Sequence, residues 1–311
     1  MKTILITGVA GFIGSNLAKR LLDEGYKVIG IDNLSSGLIE QIPDGVKFFK
    51  GDIREMYFYP IVKGVDCIFH LAAKNCISDC QSNPRETFDI NVNGAVNLME
   101  AARIHKVTKV IYAESSAIYE GSDIYPTPES EIKPESFYAL SKVGTKLVMD
   151  GYAKNHGIIT TALRYFCVYG PHQDYRRSIP PLFSSFIIKL LNGETPIIYG
   201  DGSKKRDFVY VDDINDFHVK CIEDNRTDNE TFNLGCGQNY SVNEIYKIIT
   251  DKLNIKDITP KYKENLPGET FQNLADITKA KKLGWYPRTS IEDGLQNTIQ
   301  YILTQLNLNK I

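Results

Sequence analysis

The chain has 311 residues, 42% of them hydrophobic and 24% charged, which excludes a disordered tract and supplies enough apolar side chains for a sizeable core. Lys and Arg number 36 against 38 Asp and Glu, a net charge of −2, and Lys204-Lys205-Arg206 is the one notable basic run. That balance excludes a dedicated nucleic-acid binder and offers no attraction to an anionic membrane.

In chain order, residues 3–7 form an apolar run of strand length, and residues 14–24 follow as a helix with Ile13, Leu17, Leu21 and Leu22 on one face. Strands are expected at 28–31, 47–50, 67–71, 109–112 and 160–164, with helices at 82–104 and 137–155. Strands alternating with helices imply right-handed crossovers and a parallel sheet covered on both faces, an α/β doubly wound fold of Rossmann type. Beyond residue 170, Pro171, Pro180, Pro181 and Pro196 interrupt the pattern. Short strands at 197–199 and 231–234 then sit among helices at 181–191, 242–253 and 291–306. The expected division is a dinucleotide-binding domain over 1–170, to which some later segments return, and a smaller α/β substrate-binding region over 171–311. No apolar run approaches the roughly 18 residues of a membrane span. The chain opens on a strand instead of a signal peptide, and its six cysteines show no C-x-x-C spacing. Cys76 and Cys80 lack a second Cys/His pair, so no metal site is expected, and the thiols point to a cytoplasmic protein.

Thr7-Gly8-Val9-Ala10-Gly11-Phe12-Ile13-Gly14 places three glycines between a strand and a helix. Such a turn lets backbone approach a pyrophosphate, and the helix N-terminus offers amide donors and a positive dipole end. Asp32, at the end of the next strand, lies 18 residues beyond Gly14. A carboxylate there accepts both adenosine ribose hydroxyls and repels a 2′-phosphate, which favours NAD over NADP. Asp52-Ile53 closes the third strand, where the carboxylate either meets the adenine amino edge or is a solvated loop residue. The small residues of His70-Leu71-Ala72-Ala73 leave room for a cofactor across the fourth strand's tip.

Tyr138 and Lys142 are four apart at the start of a helix and so share a face. A tyrosine of pKa about 10 is a poor base at neutral pH. A neighbouring ammonium and a cationic nicotinamide favour the phenolate, so a lowered pKa is expected. Ser115-Ser116 ends another strand 23 residues before Tyr138. A hydroxyl there can hydrogen-bond the reacting oxygen.

At these residues the chain resembles the extended short-chain dehydrogenase/reductase family, in its nucleotide-sugar epimerase branch. The resemblance runs over nearly the whole chain. It takes in the glycine turn, Asp32-Asn33-Leu34-Ser35-Ser36-Gly37, Gly51-Asp52-Ile53-Arg54, Asn91-Val92-Asn93-Gly94 and the serine and Tyr138–Lys142 segments. It continues through Arg164-Tyr165-Phe166-Cys167-Val168-Tyr169-Gly170-Pro171, Tyr199-Gly200-Asp201-Gly202, Arg206-Asp207-Phe208 and Leu283-Gly284-Trp285. It implies an NAD held through the cycle and a UDP-sugar substrate. By that pattern Tyr138 is the base, Lys142 holds the nicotinamide ribose, and Ser115, chosen over Ser116 by its spacing to Ile118, completes the set. Phe12, Ile13, Asn33, Ser36, Gly37, Leu71, Ala72, Ala73 and Tyr165 join the cofactor's surroundings. Ile197, Tyr199 and Arg206 face the nucleotide, Tyr199 covering the uracil and Arg206 the diphosphate. Arg206 could instead form a surface ion pair with Asp207 or Asp201. The resemblance further implies a homodimer in which the helices at 82–104 and 137–155 form a four-helix bundle, although their apolar positions could equally be monomer core.

The family's 4,6-dehydratases carry an Asp-Glu pair after the catalytic Thr, and its decarboxylases a Glu two positions on. Ser116 and Ala117 stand there in this chain. Glu114 precedes the serine and strand alternation turns it to the opposite side, so it is expected to be structural. Reversible oxidation at C4 of the sugar, an epimerase reaction, needs only the groups retained. Another sugar-nucleotide enzyme (a uronic-acid epimerase, a decarboxylase or a reductase) or a non-catalytic nucleotide-binding protein is the alternative.

Three positions depart from the pattern. Cys167 replaces a substrate-binding Asn, Leu266 replaces the Arg of an R-x-G-D/E motif, and Tyr119-Glu120-Gly121 replaces Y-G. Arg176, Arg177 or Lys204 could compensate. Asn273 occupies a gatekeeper position where a side chain smaller than an aromatic leaves room for an N-acetyl group, unless it is an uninvolved loop residue.

Overall fold

The computed structural model describes residues 1–176, 180–265 and 270–308. The first half runs β1 (Thr3–Thr7), α1 (Phe12–Asp23), β2 (Lys27–Asp32), β3 (Lys47–Lys50) and β4 (Cys67–His70). It continues with α2 (Ile77–Ser82), α3 (Pro84–Phe88), α4 (Gly94–His105), β5 (Lys109–Ser115), α5 (Phe137–His156) and β6 (Ile159–Tyr165). After β7 (Cys167–Tyr169) come α6 (Leu182–Leu191), β8 (Ile197–Tyr199), β9 (Lys205–Arg206), β10 (Phe208–Tyr210) and α7 (Val211–Glu223). The remainder is β11 (Glu230–Leu234), β12 (Tyr240–Ser241), α8 (Val242–Leu253), β13 (Lys261–Lys263), α9 (Thr278–Lys282) and α10 (Ile291–Leu308).

Seven strands make one parallel sheet in the order β11-β6-β5-β4-β1-β2-β3. The order reverses between β1 and β4, which opens a crevice at their carboxyl ends, the usual ligand position in a doubly wound sheet. Strand alternation explains the unbroken apolar runs. Ile4, Ile6, Phe69, Ile111 and Leu163 enter one core with Leu17 and Leu21 of α1 and Ile214 and Phe217 of α7. Leu5, Ile31, Ile68, Val110 and Ala162 enter a second with Leu98 and Met99 of α4 and Met149 of α5. Each fully buried Leu or Ile contributes about 1.5–3 kcal/mol. Among the described residues no helix is long and apolar enough to cross a membrane.

The helix expected at 82–104 begins at Pro84 and runs without a break to His105, as α3, a π-helical turn at Asp89–Asn93, and α4. Pro84 lacks an amide hydrogen and forces Asn83 out of helical geometry, to φ −136° and ψ 75°. Asn83 then caps α3 by accepting from the Glu86 amide at 3.2 Å. Five short strands (β7, β9, β10, β12, β13) and α7 were not anticipated by the periodicity. They build three two-stranded ladders, β7–β10, β8–β13 and β9–β12, beside the large sheet. Each is too short for alternation to register.

Glu114 of β5 and Arg164 of β6 stand opposite each other in register and are both buried. The Arg164 Nε donates to Glu114 Oε2 at 2.5 Å, and Nη1 donates to the Tyr119 hydroxyl at 2.7 Å and the Glu129 carbonyl at 2.5 Å. Glu114 is thus structural, as its place before the serine suggested. Removing one partner leaves the other charge buried and unpaired. Glu114→Ala is therefore expected to lose about 3–5 kcal/mol of stability in urea unfolding. A loss below about 1 kcal/mol would contradict this account of the pair.

Candidate active site

The glycine turn joins β1 to α1. Gly8 has φ +77°, and a Cβ there would lie 2.8 Å from the Ala72 amide nitrogen; a Cβ on Gly14 would lie 2.1 Å from the Gly8 carbonyl oxygen. Only glycine fits either position, and the turn is drawn tight against the ledge formed by Leu71, Ala72 and Ala73. No side chain caps α1 at Gly11, so its first-turn amides, those of Phe12 and Ile13 among them, present the positive end of the helix dipole. This cradle suits a dinucleotide's phosphates. Thr7 braces it from below: its hydroxyl pairs with His70 Nδ1 at 2.8 Å and accepts from the Ala72 amide at 3.3 Å. Burial, and then the Lys142 charge, hold His70 down at about 3, so the ring is neutral. The sequence reading gave Thr7 and His70 no role. The signal was there in a polar residue at the end of each of two adjacent buried strands.

Asp32 is buried, accepting from the Ala10 amide at 3.0 Å on one oxygen and the Leu34 amide at 2.8 Å on the other. Burial raises its carboxyl above the usual range. Each oxygen keeps a further acceptor position for a ribose hydroxyl. Asn33 bridges outward to Asp52, donating to its Oδ2 at 2.9 Å, and Gly37 packs beside Ala10, with Ser36 preceding it in the same loop. Asp52 is no solvated loop residue. Arg54 grips both its oxygens, at 3.0 and 2.8 Å, and holds it far below the ordinary carboxylate range. The Ile53 side chain is buried in the second core against Gly94.

Ser115 ends β5 and leads into a 3-10 turn at Ser116–Tyr119, its Oγ accepting from the Ala117 amide at 3.2 Å. Tyr138 stands in the first turn of α5, behind the Ser136 N-cap, with Ser115 beside its hydroxyl. Lys142, one turn on, is buried, with Nζ 5.9 Å from the Tyr138 ring centre and donating to the Ala113 carbonyl at 3.0 Å. The three expected catalytic side chains therefore converge. Burial pushes the Tyr138 phenol of the chain alone up to about 12, against a lowering by Ser115 and further raising by Cys80 and Glu120. Burial likewise lowers Lys142 to about 8, with Glu114 opposing.

Cys167, Asn273 and Arg206 come together beyond Ser115. The Asn273 amide donates to Cys167 Sγ at 3.7 Å, its oxygen accepts from the Asp207 amide at 2.7 Å, and Arg206 faces the thiol. Asn273 is therefore pinned in place and faces the same thiol as Arg206. Arg206 donates to the carbonyls of Lys205 and Phe271, at 2.9 and 3.4 Å. The alternative ion pair fails for a physical reason. Asp207 is wholly buried, receiving the amides of Cys236, Gly237 and Ala275, while Asp201 is occupied by Ser203. Tyr199 is 38% exposed at the end of β8, which Ile197 opens. The Tyr165 side chain is buried, its hydroxyl 2.6 Å from His218 Nε2, so the phenol that the resemblance assigns to the nicotinamide side is engaged within the core. Arg177 and the Leu266–Glu269 motif lie outside the described residues. Among the described residues no cluster of three or more His, Cys, Asp or Glu side chains could hold a metal ion.

Residues 4–235 match the NAD dependent epimerase/dehydratase family model, and the chain belongs to that family. A UDP-glucose 4-epimerase from Thermotoga maritima, solved with UDP-glucose, superposes with a TM-score of 0.94 at 36% identity, over 98% of this chain and 99% of that one. A UDP-N-acetylglucosamine 4-epimerase from Methanobrevibacter ruminantium, in complex with UDP-N-acetylmuramic acid, gives 0.93 at 34% identity, with 98% and 99% coverage. A UDP-glucuronate 4-epimerase from Thermodesulfobacterium geofontis is 33% identical over 98% of both chains.

The geometry at Asp32 yields a direct expectation. Asp32→Ala should weaken NAD retention about tenfold or more, the worth of hydrogen bonds to a charged group. Equilibrium titration of the purified protein measures this, and unchanged retention would remove the role.

Proposed function

We propose that the chain inverts C4 of a UDP-hexose through a transient 4-ketone, with NAD retained from cycle to cycle. One observation carries the reading: Ser115 and Lys142 both lie beside Tyr138, while Ser116 and Ala117 supply no carboxyl group for elimination. When bound, NAD supplies a reversible hydride acceptor. Tyr138 takes the C4 hydroxyl proton as the hydride leaves the same carbon, and Ser115 donates to the oxygen as it becomes a carbonyl. The Lys142 ammonium beside the Tyr138 ring favours the phenolate. The ketone turns about the diphosphate, held by Arg206, so that the hydride would return to the opposite face of C4 while Tyr138 returns the proton to its oxygen. Oxidation and reduction cancel, so no second acid/base pair and no external reductant is consumed.

Asn273 supports acceptance of N-acetylated sugars, because a pinned amide occupies less of the pocket than an aromatic ring. Residues 1–170 form the NAD-binding part in this reading, and 171–311 mainly the nucleotide-sugar part, with β11 returning to the first sheet. A homodimer through α4 and α5 is part of it. Leu147 is 68% exposed on α5, and Leu140, Phe88 and Ile104 are exposed nearby in the sequence or on the adjoining helices.

Incubation with UDP-glucose, UDP-N-acetylglucosamine and UDP-glucuronate in separate tubes, without added NAD, tests the reading by chromatography. The expected result is a C4 epimer, formed fastest from the N-acetylated sugar. Turnover that instead consumes added NADH would point to a reductase. Tyr138→Phe should lower kcat by about 10²–10⁴-fold, and unchanged turnover would overturn the mechanism.

A further inference from the structure

Glu120 is the residue that lengthens the expected Y-G ending of the serine segment, and the site as described gives it no task. It terminates the 3-10 turn that begins directly after Ser115. Its side chain crosses to the start of α5. Glu120 Oε2 accepts from the Ser136 amide at 2.8 Å and from the Glu135 amide at 3.2 Å, while Oε1 accepts from the Ser136 hydroxyl at 2.9 Å. Ser136 Oγ in turn accepts from the Ala139 amide at 3.1 Å, closing the N-cap of the helix. One carboxylate thus receives three donors at a helix N-terminus, where amides lack intrahelical partners and the dipole favours negative charge.

We propose that Glu120 is a positioning residue, a clamp that ties the Ser115 turn to the first turn of α5 and so sets the Tyr138 hydroxyl against Ser115. The proposal rests on Tyr138 and Ser115 acting in catalysis as read above. Two consequences follow from the same contacts. The clamp spans from five residues after Ser115 to two residues before Tyr138, so it fixes the segments that carry the serine and the phenol relative to each other. Its charge also faces the phenol and disfavours the phenolate. The other groups around that phenol are Cys80 from α2, Ser115 from β5 and Lys142 from α5 itself. Beside the clamp, the Glu135 carboxylate and the Lys133 stem lie against Gly121, and Lys133 pairs with Glu131 at 3.3 Å.

The test compares Glu120→Gln and Glu120→Ala with the wild type as NAD-loaded protein. Glutamine keeps an acceptor for the amides and a polar contact to Ser136 while deleting the charge; alanine deletes both. With a UDP-sugar that the wild type turns over, Glu120→Ala should lose about tenfold in kcat with KM within about twofold, the signature of misplaced catalytic groups. Glu120→Gln should retain most of kcat and move the acid limb of the kcat profile down by about half a pH unit. The second readout needs no turnover: phenolate absorbance of each protein minus its Tyr138→Phe counterpart. The Gln variant should ionise Tyr138 at lower pH there too. A wild-type profile and titration in both variants would overturn the clamp, as would a Gln variant that loses as much kcat as Ala without any pH shift. If alanine prevents folding, the Gln variant decides alone. Should the wild type epimerise no UDP-sugar, the proposed function fails while the titration still judges Glu120.

Discussion

The buried Glu114–Arg164 pair is the constraint from which the site is built. Two charges withdrawn from water cost several kcal/mol each unless every donor and acceptor is met. Here they are met by groups from separate parts of the chain: the Tyr112 and Tyr119 hydroxyls and the Glu129 carbonyl. Tyr119 passes its hydrogen to Asn233 of β11 at 2.7 Å, and Asn233 donates to the carbonyls of Thr127 and Asp276. The strand end carrying Ser115, the turn after it, the outermost strand and the segment approaching Asn273 are thereby tied to one buried centre. Ser115 follows Glu114 directly and points the other way, so the network holds the serine without entering the reaction.

The dinucleotide half of the site was legible because its constraints are local. Gly8 is needed for its positive φ and Gly14 for a backbone contact within the turn, Asp32 follows at the next strand end, and Tyr138 and Lys142 share a helical face whatever the surroundings. The large sheet was legible for a similar reason, since strands covered on both faces leave long apolar runs. Local readings failed where a distant partner decides. The helix expected from residue 82 starts at Pro84 instead, because the proline ends α2 and opens the next helix, an effect the apolar periodicity conceals. Asp207 reads as a charged neighbour for Arg206, yet three amides from residues 236, 237 and 275 claim it. Tyr138 shows the same limit in electrostatics. Spacing reveals the ammonium four residues on, but not the burial that raises the phenol.

One departure from the family pattern, Cys167, meets the gatekeeper position Asn273 in the structure. Cys167 and Asn273 meet as thiol and amide beside Arg206, on β7 and on the stretch that also donates the Ala275 amide to Asp207. Asn273 is held by its backbone to Lys205 and by its side-chain oxygen to Asp207, so its amide group faces the thiol in a fixed orientation. A weakly polar thiol against an anchored amide makes this wall of the pocket less demanding of hydrogen-bonding partners than two amides would be.

The place of β11 bears on how such a protein can be recombined. This strand comes from residues 230–234, after β7, α6, β8, β9, β10 and α7, yet it forms the edge of the sheet beside β6 and supplies Asn233 to the buried network. The two halves are therefore interlaced, not arranged end to end. A graft that exchanges the later half between relatives must bring β11 and its asparagine with it, or leave β6 as a bare edge and the Tyr119 hydroxyl without its acceptor.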